Sequence, residues 1–433
     1  MKYIQSCITA FLLMLITTAG YAQRTTYVAN GWAKNSVNAV ILRHNALTTY
    51  RDTQFIAFYN GDQQLILAKR KTGASRWKFR TTPYKGNATD AHRSISIIAD
   101  GEGYLHVSWD HHGNTLNYCK STSPGSLELT EKLPMTGLKE DKVTYPEFYN
   151  LPNGNLLFLY RTGQSGNGDL MMNRYDVKTR KWEQVQDAFI NGENHRNAYW
   201  QCAVDDAGTI HLSWVWRETG NVETNHDMCY ARSKDGGKTW EKSTGEKYTL
   251  PITMANAEYA ARIPQKSELI NTTSMAADKA GHPFIITYWR PDGTTVPQYQ
   301  LIYNDGSKWI TQQVSNRKTP FTLAGNGTKR IPISRPIILL NDKNGTQKAY
   351  VIYRDEEQQD KVIAAFCDDI KAGKWGTKIL SQQSVDLWEP SYDTRLWKQE
   401  GIIDLFLQKV EQGDGEKTED VPPTPISVLE WKP

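Results

Sequence analysis

Hydrophobic and polar residues alternate along much of this chain, in short runs. Residues 94–97 read Ser-Ile-Ser-Ile, a turn with two glycines follows, and residues 105–109 alternate again. Two alternating runs joined by a tight turn predict a β-hairpin. Because the ends of antiparallel strands lie side by side, His92 is expected to meet His111 and His112 at one edge.

The second strand of this hairpin recurs along the chain, at spacings of roughly 50 to 70 residues. Seven copies at that spacing leave room for four short strands each. The repeat therefore predicts an all-β fold, a seven-bladed β-propeller with four antiparallel strands per blade. The seven copies are Phe55–Tyr59, Leu105–Trp109, Leu156–Tyr160, Ile210–Trp214, Phe284–Tyr288, Tyr350–Tyr353 and Ile402–Phe406.

Two further features support one repeated unit from residue 23 to residue 433. Residues 233–240 match the Asp-box hairpin S-x-D-x-G-x-T-W, a structural turn that carries no chemistry. The strand-like run Ile426–Trp431 is expected to pair with a strand at the start of the mature chain, which would protect open sheet edges. We therefore predict a single propeller domain over residues 23–433.

The ends and the charge of the chain limit its surroundings and partners. Residues 1–22 combine a basic start, an apolar run and a small-residue end, which is typical of a secretory signal peptide. This segment predicts a periplasmic or secreted protein. No other segment is long and apolar enough to cross a membrane. A net charge of +4 without arginine-rich runs argues against nucleic acid. We expect a monomer.

Basic and aromatic residues fall where the repeat would bring them to one rim of the propeller. Imidazoles and guanidiniums at equivalent ends of several blades favour a planar, anionic ligand, because arginine can fork a carboxylate and aromatic rings can face a sugar. An acidic sugar is therefore the expected ligand. The guanidiniums predicted to bind it are those of Arg93, Arg217, Arg290 and Arg354.

Two cysteines and two histidines of the fourth repeat suggest a metal site. His195, Cys202, His226 and Cys229 offer the nitrogen and sulfur ligands that zinc prefers, although their spacing matches no compact zinc motif. A structural zinc or calcium ion is the only cofactor predicted, and hydrolysis would need none. A disulfide between the cysteines is the less favoured alternative.

Longer motifs resemble a known family. DAH, DGEGYLHVSWDHH, TYPEF, LPNGNLLFLYR, SGNGDL and HLSWVWRET are similar to the BNR-type propeller family, which includes ulvan lyases and rhamnosidases active on arabinogalactan proteins. In the lyases the resemblance implies a rim site of His92, His112, Tyr145 and Arg161. The pattern departs at Arg93, where the lyases carry Asn, and a guanidinium beside His92 would lower the basicity of that histidine.

The rhamnosidases resemble this chain at Arg43-His44-Asn45-Ala46, where the family's catalytic histidine matches His44. The resemblance then implies hydrolysis of terminal L-rhamnose α-1,4-linked to D-glucuronic acid, with His44 as acid/base, help from the substrate carboxylate, and Arg43 and Asn45 beside the substrate. The main prediction is this glycoside hydrolase, an exo-acting α-L-rhamnosidase on plant arabinogalactan glycans, because His44 has no evident structural need. The alternatives are a lyase that cleaves a uronate glycan by β-elimination and a non-catalytic propeller that binds acidic glycans. The resemblance implies an acidic plant or algal glycan containing uronic acid as the partner.

Overall fold

Short β-strands are the main regular structure of the described residues, as the alternating pattern predicts. The computed structural model describes residues 23–343 and 345–433, and their strands form several sheets of an all-β fold. The predicted signal peptide, residues 1–22, lies outside the described residues, and so does the side chain of Arg43. Among the described residues, no helix has the length and hydropathy needed to span a bilayer.

The first strand, β1 (Arg24–Gly31), stands apart from the strands that directly follow it. The next two sheets are built from consecutive hairpins, in the orders β2-β3-β4-β5 and β6-β7-β9, while β8 pairs with the following sheet. Their strands are β2 (Leu47–Tyr50), β3 (Thr53–Tyr59), β4 (Gln64–Lys71), β5 (Lys78–Lys85), β6 (Ile95–Ala99), β7 (Leu105–Trp109), β8 (His112–Asn114) and β9 (Tyr118–Lys120).

The middle of the chain forms a nine-stranded sheet that consists of two antiparallel four-stranded units and β8. One parallel bridge, between Gly168 and Asn197, joins the two units. The strands of these units are β10 (Val143–Asn150), β11 (Leu156–Gln164), β12 (Asn167–Asp176), β13 (Lys181–Ile190), β14 (Asn197–Val204), β15 (Ile210–Arg217), β16 (Asn225–Ser233) and β17 (Glu258–Ala261).

Two more four-stranded antiparallel sheets follow, each in chain order. In the described part of the chain, three single-turn 3-10 helices interrupt the loops, at Ile41–Arg43, Val222–Thr224 and Glu356–Gln358. The strands of the two sheets are β18 (Ser274–Ala277), β19 (Pro283–Trp289), β20 (Gln298–Asn304), β21 (Trp309–Gln313), β22 (Ile337–Lys343), β23 (Thr346–Asp355), β24 (Lys361–Cys367) and β25 (Trp375–Ile379).

The last sheet joins the two ends of the chain. After the helix α1 (Thr394–Glu400) come β26 (Ile403–Gln408) and β27 (Thr424–Trp431), and β27 lies between β26 and β1. The pairing of Arg24 with Glu430 and of Thr26 with Val428 confirms the predicted contact between the last strand and a strand near residue 23. Both neighbours of β27 are antiparallel to it, so neither of its edges is open.

Local chemistry explains the turns between the strands. In the predicted hairpin, Ile95 pairs with Trp109 and Ala99 with Leu105, and the Asp100 carboxylate accepts the amides of Glu102 and Tyr104 at 2.9 Å each. The Asp-box turn is also confirmed, because the carboxylate of Asp235 accepts the Thr239 amide at 2.9 Å. Trp240, next along the turn, is buried and stacks on Phe189 with ring centres 5.0 Å apart.

Candidate functional site

The candidate site begins with two stacked histidines on neighbouring segments. His92 precedes β6 and His112 opens β8, and their ring centres are 4.2 Å apart. Asp90 orients both rings, since its carboxylate lies 3.1 Å from His92 Nδ1 and 2.6 Å from His112 Nδ1. If His112 donates its Nδ1 proton to Asp90, its Nε2 carries the free lone pair of a proton acceptor.

A second carboxylate reaches His92 from the distant end of the chain. Glu416, between β26 and β27, places Oε1 3.0 Å from His92 Nδ1 and is held in place by the amide of Thr328 at 2.6 Å. Burial alone would lower the pKa of His92, but hydrogen bonds to Asp90 and Glu416 outweigh it and raise that pKa to about 9. The pKa values of both carboxyl groups are correspondingly lowered, against the opposing effect of burial. His92 is therefore a cation at neutral pH.

His111 does not join this pair, so the prediction of three imidazoles at one edge is wrong. Its side chain is buried, and its Nε2 accepts the amide of Asn117 at 3.1 Å and lies 3.2 Å from the hydroxyl of Ser108. Burial has the largest effect on the pKa of His111 and lowers it to about 3. The ring is thus a neutral part of the core, because side chains of consecutive strand-end residues point in different directions.

Tyr145 completes the cluster through a bulge in β10. Thr144 pairs with Arg161 whereas Glu147 pairs with Leu159, so β10 contains an extra residue there, and Tyr145 has φ of 56°. A positive φ is costly for an aromatic residue and is typical of sites where a side chain must be aimed. The Tyr145 ring lies 5.9 Å from that of His92, and burial raises the pKa of its hydroxyl, which stays protonated.

Two buried arginines line the other side of Tyr145. Arg161 places its guanidinium carbon 5.0 Å from the Tyr145 ring centre, and Arg161 and Arg217 are only 3% and 9% exposed. Both guanidiniums approach the hydroxyl of Tyr199, at 3.5 Å and 3.1 Å, and neither Nε atom has a hydrogen-bond partner among the described residues. Across residues 23–343 and 345–433, neither arginine forms an ion pair with a carboxylate. Such buried cations suit a ligand that brings its own negative charge.

The other arginines predicted to bind substrate are held by the protein's own acids. Arg93 lies at the edge of the histidine pair but contacts the Asp110 carboxylate at 3.0 Å. Arg290 contacts Glu268 at 2.7 Å. Arg354 is buried and contacts Asp360 at 2.8 Å, and its other donors face backbone carbonyls. The structure therefore brings together His92, His112, Tyr145, Arg161 and Arg217, and it gives Arg290 and Arg354 partners elsewhere.

His44 lies in a different place, on the wall of a cavity of about 370 Å³. It ends a 3-10 turn with φ of 54°, its ring centre is 4.5 Å from that of Tyr149, and burial lowers its pKa to about 4. Asn45 is also buried, and its side-chain amide donates to the carbonyl of Phe148 at 2.8 Å. No described residue of the histidine, tyrosine and arginine cluster lines this cavity.

The four residues predicted to bind zinc do not come together. Cys202 on β14 and Cys229 on β16 have β15 between them, and both thiols are free and buried. His195 is exposed, and the two ring nitrogens of His226 contact Glu218 and Asp227 at 2.9 and 3.0 Å. That prediction is wrong because strands separated by a third lie roughly 10 Å apart, too far to share one ion.

Another group has suitable metal-ligating atoms. Within the described part of the chain, Asp90, His92 and His112 are the three residues whose ligand atoms lie within 4.8 Å of one another. Their own hydrogen bonds already account for this arrangement, since the carboxylate accepts from both rings. The sequence patterns identified both histidines but missed Asp90 and Glu416. The repeat predicts the positions of strands, and it does not predict which acidic side chains of the loops contact the histidines.

Comparison with known proteins identifies the chain's relatives. A family model described as "BNR repeat-containing family member" matches residues 53–317. The long isoform of an ulvan lyase from Alteromonas sp is 22% identical over 328 residues, which are 60% of this chain and 33% of that protein. The chain therefore spans about a third of the length of the first curated relatives that it matches.

Solved structures share the fold. The polysaccharide lyase Uly1 superposes with a TM-score of 0.69 at 16% identity, over 94% of this chain and 99% of its own. A polysaccharide lyase described as an ulvan lyase, solved with -[GlcA(1-4)Rha3S]- bound, has a TM-score of 0.66 at 15% identity, over 92% and 98% of the two chains.

These comparisons correct the main functional prediction. The relatives and the structures that share the fold are polysaccharide lyases, so the prediction of a glycoside hydrolase that releases rhamnose is wrong, and the β-elimination alternative is better supported. The hydrolase prediction depended on one histidine whose structural need was not evident. That need is now visible, because His44 ends a tight turn and packs on Tyr149.

Proposed function

This chain belongs to the BNR repeat-containing family, and we propose that it is a polysaccharide lyase that cleaves uronate-containing glycans by β-elimination. The observation that carries the proposal is the cluster in which stacked histidines and a buried tyrosine adjoin two buried arginines, which have no acidic partner in the part of the chain that the structure describes. β-Elimination needs these parts: a cation for the uronate carboxylate, a base for the C5 proton and an acid for the O4 leaving group.

Each part of the reaction has a candidate side chain. Arg161, with Arg217 beside it, binds the carboxylate and stabilises the charge that develops when C5 loses its proton. His112 is the base, because its Nδ1–H donates to the Asp90 carboxylate and its Nε2 is left as the proton acceptor. Tyr145 is the acid, since burial keeps its phenol protonated. His92 is the cation that donates to the substrate and holds it in register.

We propose the finer architecture together with the function. Seven groups of consecutive strands can be distinguished once the nine-stranded sheet is divided at its single parallel bridge, and the last group is completed by β1. Seven such groups support a seven-bladed propeller that forms one domain over residues 23–433. The proposal includes a periplasmic or secreted location and an acidic glycan as the partner.

The test is an assay for the unsaturated uronate that only elimination produces, which absorbs in the near ultraviolet. A polysaccharide of alternating glucuronate and rhamnose should yield this product. His112→Gln and Arg161→Gln should each reduce the rate by a factor of about 100 or more, as the loss of an acid/base or a charge-stabilising group does. His282→Gln, on a half-exposed histidine paired with Asp278, is the control and should keep full activity.

Two results would contradict the proposal. Binding of the polysaccharide without any unsaturated product would favour the non-catalytic glycan-binding alternative. Unsaturated product formed at an undiminished rate by His112→Gln would place the base elsewhere. Either result can be read directly, because circular dichroism of each variant shows whether it is folded.

A further inference from the structure

The two buried arginines of the candidate site share one hydroxyl group. Tyr199 lies on β14 and is 1% exposed, and its hydroxyl is 3.1 Å from Arg217 Nη1 and 3.5 Å from Arg161 Nη1. The other hydrogen bond of Arg161 goes to the hydroxyl of Thr144 at 3.2 Å. Two guanidiniums thus converge on a group that is neutral in its ordinary state, where buried cations normally meet an anion.

The groups that face the Tyr199 hydroxyl come from four segments. Arg161 comes from β11, Arg217 from β15 and Tyr145 from β10, while Ser165, in the turn between β11 and β12, places its hydroxyl at 3.0 Å. Two of these groups are cations and the other two are neutral. Among the residues that the structure describes, none of the facing groups is an acid, so any negative charge has to come from Tyr199 or from a ligand.

We propose that Tyr199 is a phenolate held between Arg161 and Arg217, and that it serves as the resident counter-ion of the arginine pair until an anionic ligand replaces it. The geometry supplies what a phenolate needs, because its oxygen receives hydrogen bonds from two charged donors and one hydroxyl. Tyr199 acts on the substrate only through the arginines, and it is therefore a positioning residue.

The electrostatics of the two neighbouring tyrosines agree with this geometry. Burial would raise the pKa of Tyr199, but Arg217 and Arg161 overcome that penalty and lower it below the ordinary tyrosine value. Burial raises the pKa of Tyr145, which lies 5.9 Å away between ring centres, and a phenolate at Tyr199 raises it further. Two adjacent groups whose pKa values diverge can take opposite roles, here one anion and one proton donor.

Binding of substrate then becomes linked to a proton, a step that rests on the proposed function. When a uronate carboxylate occupies the arginines, the second negative charge makes the phenolate unfavourable. Tyr199 takes up one proton from solvent, so an O–H bond forms on the phenolate oxygen and an O–H bond of hydronium breaks. The arginine pair keeps one counter-ion before and after binding, and the affinity for a uronate should fall as the pH rises above the pKa of Tyr199.

The phenolate can be measured without any substrate, through the near-ultraviolet absorbance of tyrosinate. An ordinary tyrosine ionises near pH 10. We therefore expect the folded protein to show absorbance from one tyrosinate already at about pH 8, and Tyr199→Phe to lack it. Tyr288→Phe is the control, because Tyr288 is buried, its hydroxyl has no hydrogen-bond partner within residues 23–343 and 345–433, and burial raises its pKa. Absence of the band from the unaltered protein, or its persistence in Tyr199→Phe, would overturn the proposal.

The linked step needs a second measurement with sodium glucuronate as the probe. We expect glucuronate to bleach the tyrosinate band of the unaltered protein, and the KM of the polysaccharide to rise between about pH 7 and pH 9 in that protein but not in Tyr199→Phe. A band that glucuronate leaves unchanged would overturn the replacement of the phenolate. A tyrosinate band in a protein that forms no unsaturated product would instead contradict only the lyase proposal, so the two failures are distinguishable.

Discussion

The most direct test of the electrostatics in this fold is the replacement of Glu147 by glutamine. Glu147 lies on β10 and is 2% exposed, and the indole of Trp200 donates to its carboxylate at 3.1 Å. The hydroxyl of Tyr149 contacts the same oxygen. Burial raises the pKa of this carboxyl to about 8, even though the two donors lower it. Glu147→Gln keeps the shape of the side chain and removes its ability to ionise.

The magnitude follows from the difference in pKa between the folded and unfolded chains. The unfolded value is near 4.5 and the folded value near 8, and one pKa unit corresponds to about 1.4 kcal/mol. Between these values the folded chain holds a proton that the unfolded chain has lost, so the free energy of unfolding falls as the pH rises. Glu147 should therefore cost the protein about 5 kcal/mol above pH 8, a large share of a typical stability of about 5 to 15 kcal/mol.

Urea denaturation measured from about pH 5 to pH 8 checks this reasoning. The difference in free energy of unfolding between Glu147→Gln and the unaltered protein should change by about 4 kcal/mol over that range, in favour of the variant at high pH. Glutamine itself adds a constant cost of about 1 to 3 kcal/mol, because its buried amide needs an acceptor. Glu131→Gln, at an exposed glutamate, is the control and should show no such trend. Parallel curves for Glu147→Gln and the unaltered protein would refute the argument.

Three other changes test the site and the fold. Glu416→Gln removes a charge 3.0 Å from His92 Nδ1 and should lower the pKa of that histidine from about 9 by about 1 to 2 units, which can be measured by NMR titration of the imidazoles. Asp235→Ala removes the acceptor of the Thr239 amide and should cost about 1 to 2 kcal/mol of stability in urea denaturation without changing the rate of elimination. Dialysis against a chelator should leave the rate of elimination unchanged if the imidazoles act as proton-transfer groups, whereas loss of activity that zinc or calcium restores would indicate a bound ion.

Sequence patterns predicted the strands well, because a strand with one buried face must alternate hydrophobic and polar residues. Each of the seven predicted second strands overlaps a strand of the structure, and the Asp-box turn forms around Asp235 as expected. The link between β27 and β1 could also be predicted, because an unpaired edge at one end of the chain needs a partner. The alternation of hydrophobic and polar residues could not predict the bulge in β10, because an extra residue in a strand leaves that alternation intact on either side.

The site was predictable only where the hairpin repeat fixes the position of a residue. His92 and His112 meet because they flank the two strands of one hairpin. The direction of the His111 side chain depends on which face of the strand end it occupies. Its hydrogen bond with the amide of Asn117 could not be predicted from the sequence. Glu416 reaches His92 from a loop between the last two strands, and such long-range contacts follow from the closure of the fold and not from any local pattern.

The distribution of charge across the site constrains how a substrate can lie in it. On one side, Asp90 and Glu416 compensate the charge of His92, so the cation there is already paired. On the other side, the hydrogen bonds of Arg161 and Arg217 go only to tyrosine and threonine side-chain oxygens among the described residues. With no aspartate or glutamate beside them, these arginines offer the stronger attraction to a carboxylate. In the lyase that we propose, the uronate carboxylate therefore faces β11 and β15. The sugar ring then extends past Tyr145, which packs against Arg161, toward His112, so that the acid lies between the arginines and the base. A substrate bound the other way round would put its carboxylate against Asp90 and Glu416 and would be repelled.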